Sequence, residues 1–183
     1  MSLAPTWSQT PSIGLYRLSS SVARHQLHDV AMMGMETEVR MLLEHDADAN
    51  ARGAWGWTPL LLASAQGHLR VARRLLDAGA NPDIGNVHKI TPLMYAARYG
   101  NDGICALLLD YGANLNLQDV YGDTALMVAT RLGQVEVAKR LVEAGADITV
   151  RNAHGQSALE LAHEHGQGVI AKLLRKPLSP GST

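Results

Sequence analysis

The sequence predicts an all-α fold, a solenoid of stacked helix-turn-helix units, and three observations carry that prediction. The first is repetition. Thr58-Pro59-Leu60-Leu61-Leu62-Ala63 returns 33 residues later as Thr91-Pro92-Leu93-Met94-Tyr95-Ala96 and again as Thr124-Ala125-Leu126-Met127-Val128-Ala129, with a weaker copy at Ser157-Ala158-Leu159-Glu160-Leu161-Ala162. The second is the apolar period inside each copy, which steps by three and four residues on two segments parted by one glycine. The third is composition: 46% of the residues are apolar, yet only 4% are aromatic and Phe is absent. Alanine and leucine must therefore do the packing, which suits small helices stacked closely.

Residues 1–20 are rich in Ser, Thr and Pro, with Trp7, Ile13, Leu15 and Tyr16 scattered among them. Pro5 and Pro11 break any strand and no helical period is present, so a flexible N-terminal tail is expected. Its rings either stay free, fold back onto the array, or serve as a short motif for another protein. From Ser21 the pattern turns helical. Val22, Leu27, Val30 and Ala31 share a face, Gly34 interrupts, and Val39, Leu42 and Leu43 mark a second helix. This first repeat lacks the Thr-Pro start. Glu38 stands where later repeats carry Val71, Ile104, Val137 and Ile170, so this face is expected to meet water as a terminal cap does.

Repeat two begins near Gly53. Thr58 is placed to accept hydrogen bonds from the free N–H groups of a first helical turn, and Pro59 has no N–H to strand there. Leu60 and Ala63 face inward. Gly67 permits a positive φ between the helices. Val71, Ala72, Leu75 and Leu76 then form the inner face of the second helix, which Gly79 ends. Repeats three and four, about residues 86–116 and 119–149, follow the same plan with Ile104/Leu108/Leu109 and Val137/Leu141/Val142. Lys89 departs from it, standing at the turn position that Gly56, Gly122 and Gly155 hold elsewhere; a positive φ there strains it by roughly 1 kcal/mol. Repeat five runs over residues 152–176. Arg175 replaces the apolar residue seen at Leu76, Leu109 and Val142, so this end too is expected to be capped and the visible solenoid complete. Residues 177–183 have the composition of a disordered tail. Residues 21–176 are thus expected to form one five-repeat domain.

A Thr-Pro-Leu-x-x-Ala core at this period is identified as that of ankyrin repeats. The resemblance implies β-turn or hairpin loops joining the helix pairs. It also implies that partners bind on the concave side, against the turn tips and the open face of each first helix. Mapped by period, the candidate partner-binding residues are Met32, Met33, Trp55, Trp57, His88, Ile90, Arg98, Tyr99, Tyr121, Asp123, Arg131 and Leu132. Solvated polar residues belong at such positions; rings and aliphatic side chains collected there mark an interaction strip. Arg98 and Arg131 are placed to clamp a carboxylate or a carbonyl beside it. Competing readings are that Trp55 packs on the next turn as scaffold, that Trp57 shields the Thr58 turn, and that Met32 and Met33 only cover the first repeat. Arg73, Arg74, Lys139 and Arg140 read as a solvated outer face. The resemblance further implies that Asn50 and Asn116, each closing its repeat, are possible hydroxylation sites.

Other chemistry finds little support. Glu160 and His163 make a single Glu-x-x-His step, whereas a di-metal bundle needs two; His25, His28 and Asp29 fall short of a converging ligand set. Zinc-protease, serine-hydrolase, phosphate-loop and dinucleotide motifs do not occur. The glycines come singly at the repeat period, as backbone devices do. Cys105 is the one cysteine and replaces Ala72 and Ala138, so it reads as a small buried hydrophobe. A net charge of −1 argues against nucleic acid as partner, and no apolar run is long enough for a membrane span. Met1-Ser2-Leu3-Ala4-Pro5 lacks the charge and apolar run of a secretory signal. The expectation is a monomeric, non-catalytic adaptor or scaffold without cofactor or metal, in the cytoplasm or the nucleus, binding a peptide or protein. The alternative is an inhibitor that occludes a folded enzyme or transcription factor.

Overall fold

A computed structural model describes residues 20–175, with side chains from Leu27 onward. The two expected tails, with Trp7 and Tyr16, and the side chains of Val22 and His25 lie outside the described residues. Among the described residues ten α-helices run in five pairs: α1 Ser20–Met33 and α2 Glu36–Glu44; α3 Pro59–Gln66 and α4 Leu69–Asp77; α5 Pro92–Tyr99 and α6 Asp102–Asp110; α7 Ala125–Arg131 and α8 Val135–Glu143; α9 Ala158–Glu164 and α10 Gly168–Arg175. Among the described residues there is no strand, and no helix is long and apolar enough to cross a membrane.

Local chemistry sets the helix starts. Thr58, Thr91, Thr124 and Ser157 each accept the N–H three residues on, at 3.2, 3.3, 3.3 and 3.4 Å. Each bond satisfies one of the donors a helix leaves free at its N-terminus. At α9 the box closes both ways, since Glu160 Oε2 accepts the Ser157 N–H at 2.6 Å. The Glu160 carboxylate also meets Arg151 Nη1 at 2.8 Å.

The inter-helix glycines answer two demands at once. Gly67 has φ 80° and Gly34 φ 74°, which only glycine adopts freely. A Cβ on Gly34 would also stand 2.6 Å from Nδ1 of His68, which reaches across from the next repeat. His68 Nε2 lies 3.0 Å from the carbonyl oxygen of Met32, and Gln134 Nε2 donates to that of Arg98 at 3.3 Å. A side chain of one repeat thus satisfies a carbonyl left free at the end of the previous first helix.

The first helices stack on one another, α1 to α3 to α5 to α7 to α9, and the second helices form a parallel layer, α2 through α10. Ala31, Ala63, Ala96, Ala129 and Ala162 are all fully buried in the first-helix layer, where their small size lets the backbones approach. Leu60, Leu93 and Leu126, with Val71, Ile104, Val137 and Ile170, join them in one continuous core. Cys105 belongs to that core, and burial pushes its thiol up to about 12, so no nucleophilic thiolate forms at neutral pH. At the two ends Glu38 is half-exposed and Arg175 exposed.

The outer face is solvated as expected, with Arg73, Arg74 and Lys139 exposed, and two of its arginines are also paired. Arg74 reaches back to Glu36 at 3.0 Å and Arg140 grips both carboxylate oxygens of Asp102, at 2.5 and 2.6 Å. These arginines tie α4 to α2 and α8 to α6, and the Arg140 guanidinium holds the Asp102 carboxyl below its ordinary range.

Candidate partner-binding groove

Each loop leading into a first helix takes its shape from one residue. In repeats three to five this is Asn86, Asp119 or Asn152. The Oδ1 of each accepts the N–H groups two and four residues on: His88 and Ile90 at 2.9 and 3.1 Å, Tyr121 and Asp123 at 2.8 and 3.0 Å, His154 and Gln156 both at 3.0 Å. A short polar side chain so placed mimics a backbone turn and closes the loop into a finger.

Repeat two has Gly53 at this position and lacks the oxygen. Its finger is instead a 3-10 turn over Ala54–Gly56, with Trp55 at φ 56°. The room left by the missing side chain is filled by His28 of the first repeat. His28 Nε2 lies 3.0 Å from the Trp57 carbonyl oxygen, and as close to the point where a Gly53 Cβ would be.

The fingers are joined at their tips. Val87, Val120 and Ala153 donate backbone N–H to the carbonyls of Trp55, His88 and Tyr121 at 3.0, 3.1 and 2.9 Å. The tips therefore form one spine along which Trp55, His88 and Tyr121 stand in a row, with Trp55 75% and Tyr121 62% exposed.

Between this spine and the first helices runs a groove of about 670 Å³ whose wall is aromatic. The Trp57 and Tyr95 ring centroids are 4.9 Å apart, and Tyr95 and Tyr99 lie 6.5 Å apart with their planes only 10° from parallel. Tyr99 is 55% exposed while Trp57 and Tyr95 are half-buried, so a ring layer with a solvated rim faces the groove. Asn86 Nδ2 donates to the Tyr95 hydroxyl at 3.3 Å. Burial, and then the neighbouring Tyr99, raise the Tyr95 phenol above its ordinary value.

The structure gathers eight of the candidates around this groove: Trp57, Ile90, Arg98, Tyr99, Tyr121, Asp123, Arg131 and Leu132. Ile90 also packs on the core. Trp55 and His88 stand on the tips, and Met32 and Met33 are exposed at the end of α1, outside the groove lining.

Asp123 corrects the expectation of a free tip residue. It is 4% exposed; Arg131 Nη2 lies 2.6 Å from its Oδ2, and Asn152 Nδ2 donates to its Oδ1 at 2.9 Å. A buried carboxylate needs such partners, so Asp123 is committed and takes Arg131 with it. Arg98 is exposed and has no ion-pair partner among the described residues.

Tyr95 was not among the candidates. The signal is a ring where the other repeats carry Leu62, Val128 and Leu161, one helical turn before Tyr99. Asn50 and Asn116 sit in a separate ladder. Asn50 Oδ1 accepts the Asn81 N–H at 2.7 Å and Asn116 Oδ1 accepts that of Asp147 at 2.9 Å; Asp83 does the same for Asn114 at 2.8 Å. Among the described residues no three His, Cys, Asp or Glu side chains converge on a metal position.

Comparison with known proteins gives the same repeat. A family profile described as ankyrin repeats (3 copies) matches residues 80–152 and 118–181, and one described as ankyrin repeats (many copies) matches residues 27–76. The chain belongs to the ankyrin-repeat family. Among ankyrin-like relatives, mouse protein phosphatase 1 regulatory subunit 27 is 37% identical over 60 residues, covering 33% of this chain and 39% of that one. The Drosophila melanogaster ARF GTPase-activating protein Git is 48% identical over 52 residues, 28% of this chain and 7% of its own. A putative ankyrin repeat-containing protein of Treponema pallidum is 41% identical over 66 residues, 36% of this chain and 22% of its own. The chain thus spans well under half the length of these relatives.

Proposed function

We propose that this ankyrin array is a non-catalytic adaptor or scaffold that grips a peptide or protein segment in its concave groove. The observation that carries the reading is the run of Trp57, Tyr95 and Tyr99 in mutual contact and still open to solvent. Buried core supplies the array's stability elsewhere, and large rings left at a groove surface are the side chains that most often dominate binding energy. The regulatory-subunit name of one relative points the same way. Trp55, Val87, Val120 and Tyr121, exposed across three fingers, favour a second reading in which a folded enzyme or transcription factor is occluded. Such a client buries an interface of about 1,600 Å² in total, against far less for a peptide. A cytoplasmic or nuclear setting, a monomeric state, and hydroxylation of Asn50 or Asn116 belong to this proposal; an added 16 Da on protein from its own cells tests the last.

The groove is tested by comparing the wild type with Trp57→Ala/Tyr99→Ala in pull-downs, with far-ultraviolet circular dichroism as the fold control. Lost partners with retained helicity is the expected result. A double variant that keeps every partner removes the groove from consideration.

A further inference from the structure

We infer that the groove takes a proline-rich segment of another protein in the polyproline II conformation. Its proline rings lie on the wall of Trp57, Tyr95 and Tyr99, and its carbonyl oxygens accept from the donors those rings carry. This rests on the groove reading above and adds the chemistry of the occupant.

Charge gives no preference for either sign. Arg98 and Asp119 bring one charge of each kind to the lining, and Asp123 and Arg131 cancel at 2.6 Å. An uncharged occupant suits a lining without net charge, so selection falls to hydrogen bonding and shape.

The open polar groups of the rings are donors. The Trp57 indole N–H and the Tyr99 and Tyr121 hydroxyls have no hydrogen-bond partner among the described residues, and the Trp57 nitrogen is not buried. The Tyr95 hydroxyl accepts Asn86 Nδ2 at 3.3 Å, which leaves its own proton to give. Acceptors are scarcer. Asp119 Oδ1 already takes two N–H groups of its own finger, at 2.8 and 3.0 Å. An ordinary extended peptide brings an N–H with every carbonyl, and each N–H covered without an acceptor costs free energy. Proline brings the carbonyl and no N–H. A polyproline II helix, with no internal hydrogen bonds, keeps those carbonyls free.

Shape agrees. Trp57 and Tyr95 are 4.9 Å apart, Tyr95 and Tyr99 6.5 Å, and the two tyrosine planes lie 10° from parallel. About four residues of a polyproline II helix, rising about 3.1 Å each, span the three rings. Proline already has its φ fixed, so docking orders little that was free. Aromatic-lined grooves are a recurring way of holding such segments.

The test is selection of a random dodecapeptide phage library on the whole chain, on Trp57→Phe/Tyr99→Phe, which keeps rings and removes donors, and on Trp57→Ala/Tyr99→Ala. Peptides selected on the wild type should carry proline well above its share of the library, with no bias in Asp, Glu, Lys or Arg. A synthetic copy of one should bind the phenylalanine variant about tenfold more weakly, as expected for losing neutral hydrogen bonds. Replacing its prolines by alanine should weaken binding to the wild type. Selected peptides that need the rings but lack proline, carry a charge bias, or bind the phenylalanine variant as tightly as the wild type overturn this inference and leave the groove reading standing. Tighter binding to the full chain with Pro5, Pro11, Pro177 and Pro180 all replaced by alanine would show the chain's own prolines competing, and would overturn the assignment to another protein. Peptides that bind the double alanine variant as well as the wild type, or no enrichment of any peptide, overturn both.

Discussion

Lys89 holds φ 59° at a turn position where Gly56, Gly122 and Gly155 hold 73°, 77° and 75°. A left-handed conformation costs an L-residue about 1–2 kcal/mol, and glycine gives back about 0.5–1 kcal/mol through its freer unfolded chain. Lys89→Gly is therefore expected to stabilise the array by about 0.5–1 kcal/mol, read as a higher urea midpoint at unchanged slope. The strain at Lys89 was legible in the sequence because the repeat supplies three glycines as its control. Trp55 was not legible in the same way. Its φ of 56° follows from Gly53 lacking the side-chain oxygen that shapes the other fingers, an effect of one residue on another two places away. Asp123 was misread for a related reason: its position on the turn suggested an open side chain, whereas Arg131 and Asn152, from outside that turn, enclose its carboxylate.

At the scale of the helix, caps and core faces were readable because they depend on neighbours within four residues. Thr58, Thr91, Thr124 and Ser157 each make the bond their position requires. The Arg74–Glu36 and Arg140–Asp102 pairs escaped because 38 residues separate the partners, beyond the reach of any local pattern. The reciprocal cap of α9 carries a pH signature. Ser157 backbone and hydroxyl, then Arg151, hold the Glu160 carboxyl down to about 2 from an ordinary value of 4.5. A carboxyl depressed on folding contributes stability above its unfolded value and loses it as pH falls through the folded one. The advantage of the wild type over Glu160→Gln should thus be complete above pH 4.5 and shrink progressively toward pH 2. Urea midpoints of both proteins across that interval check it; a difference that stays constant with pH would show that ionisation of Glu160 is not what holds the cap.

Over the whole molecule, each helix packs chiefly on its own partner and on its counterparts in the adjacent repeats. Stability in such an array is close to a sum of repeat and nearest-neighbour terms. The groove depends on this, since Trp57, Tyr95 and Tyr121 come from three successive repeats and keep their relation only while those repeats remain docked. Leu126 is fully buried in α7, between the layers of repeats three and five. Leu126→Ala removes apolar contact and leaves a cavity, at a cost of about 2–5 kcal/mol. In a one-dimensional array that loss falls on repeat four and its two interfaces, so repeats four and five should unfold before the first three. Urea unfolding followed by tryptophan fluorescence, in a Trp7→Phe background that leaves Trp55 and Trp57 of repeat two, is compared with far-ultraviolet circular dichroism of all helices. The two signals should coincide for the parent and separate in Leu126→Ala, with fluorescence persisting to higher urea. If both still fall together, the repeats are coupled beyond their nearest neighbours, and the groove is held by the fold as a whole.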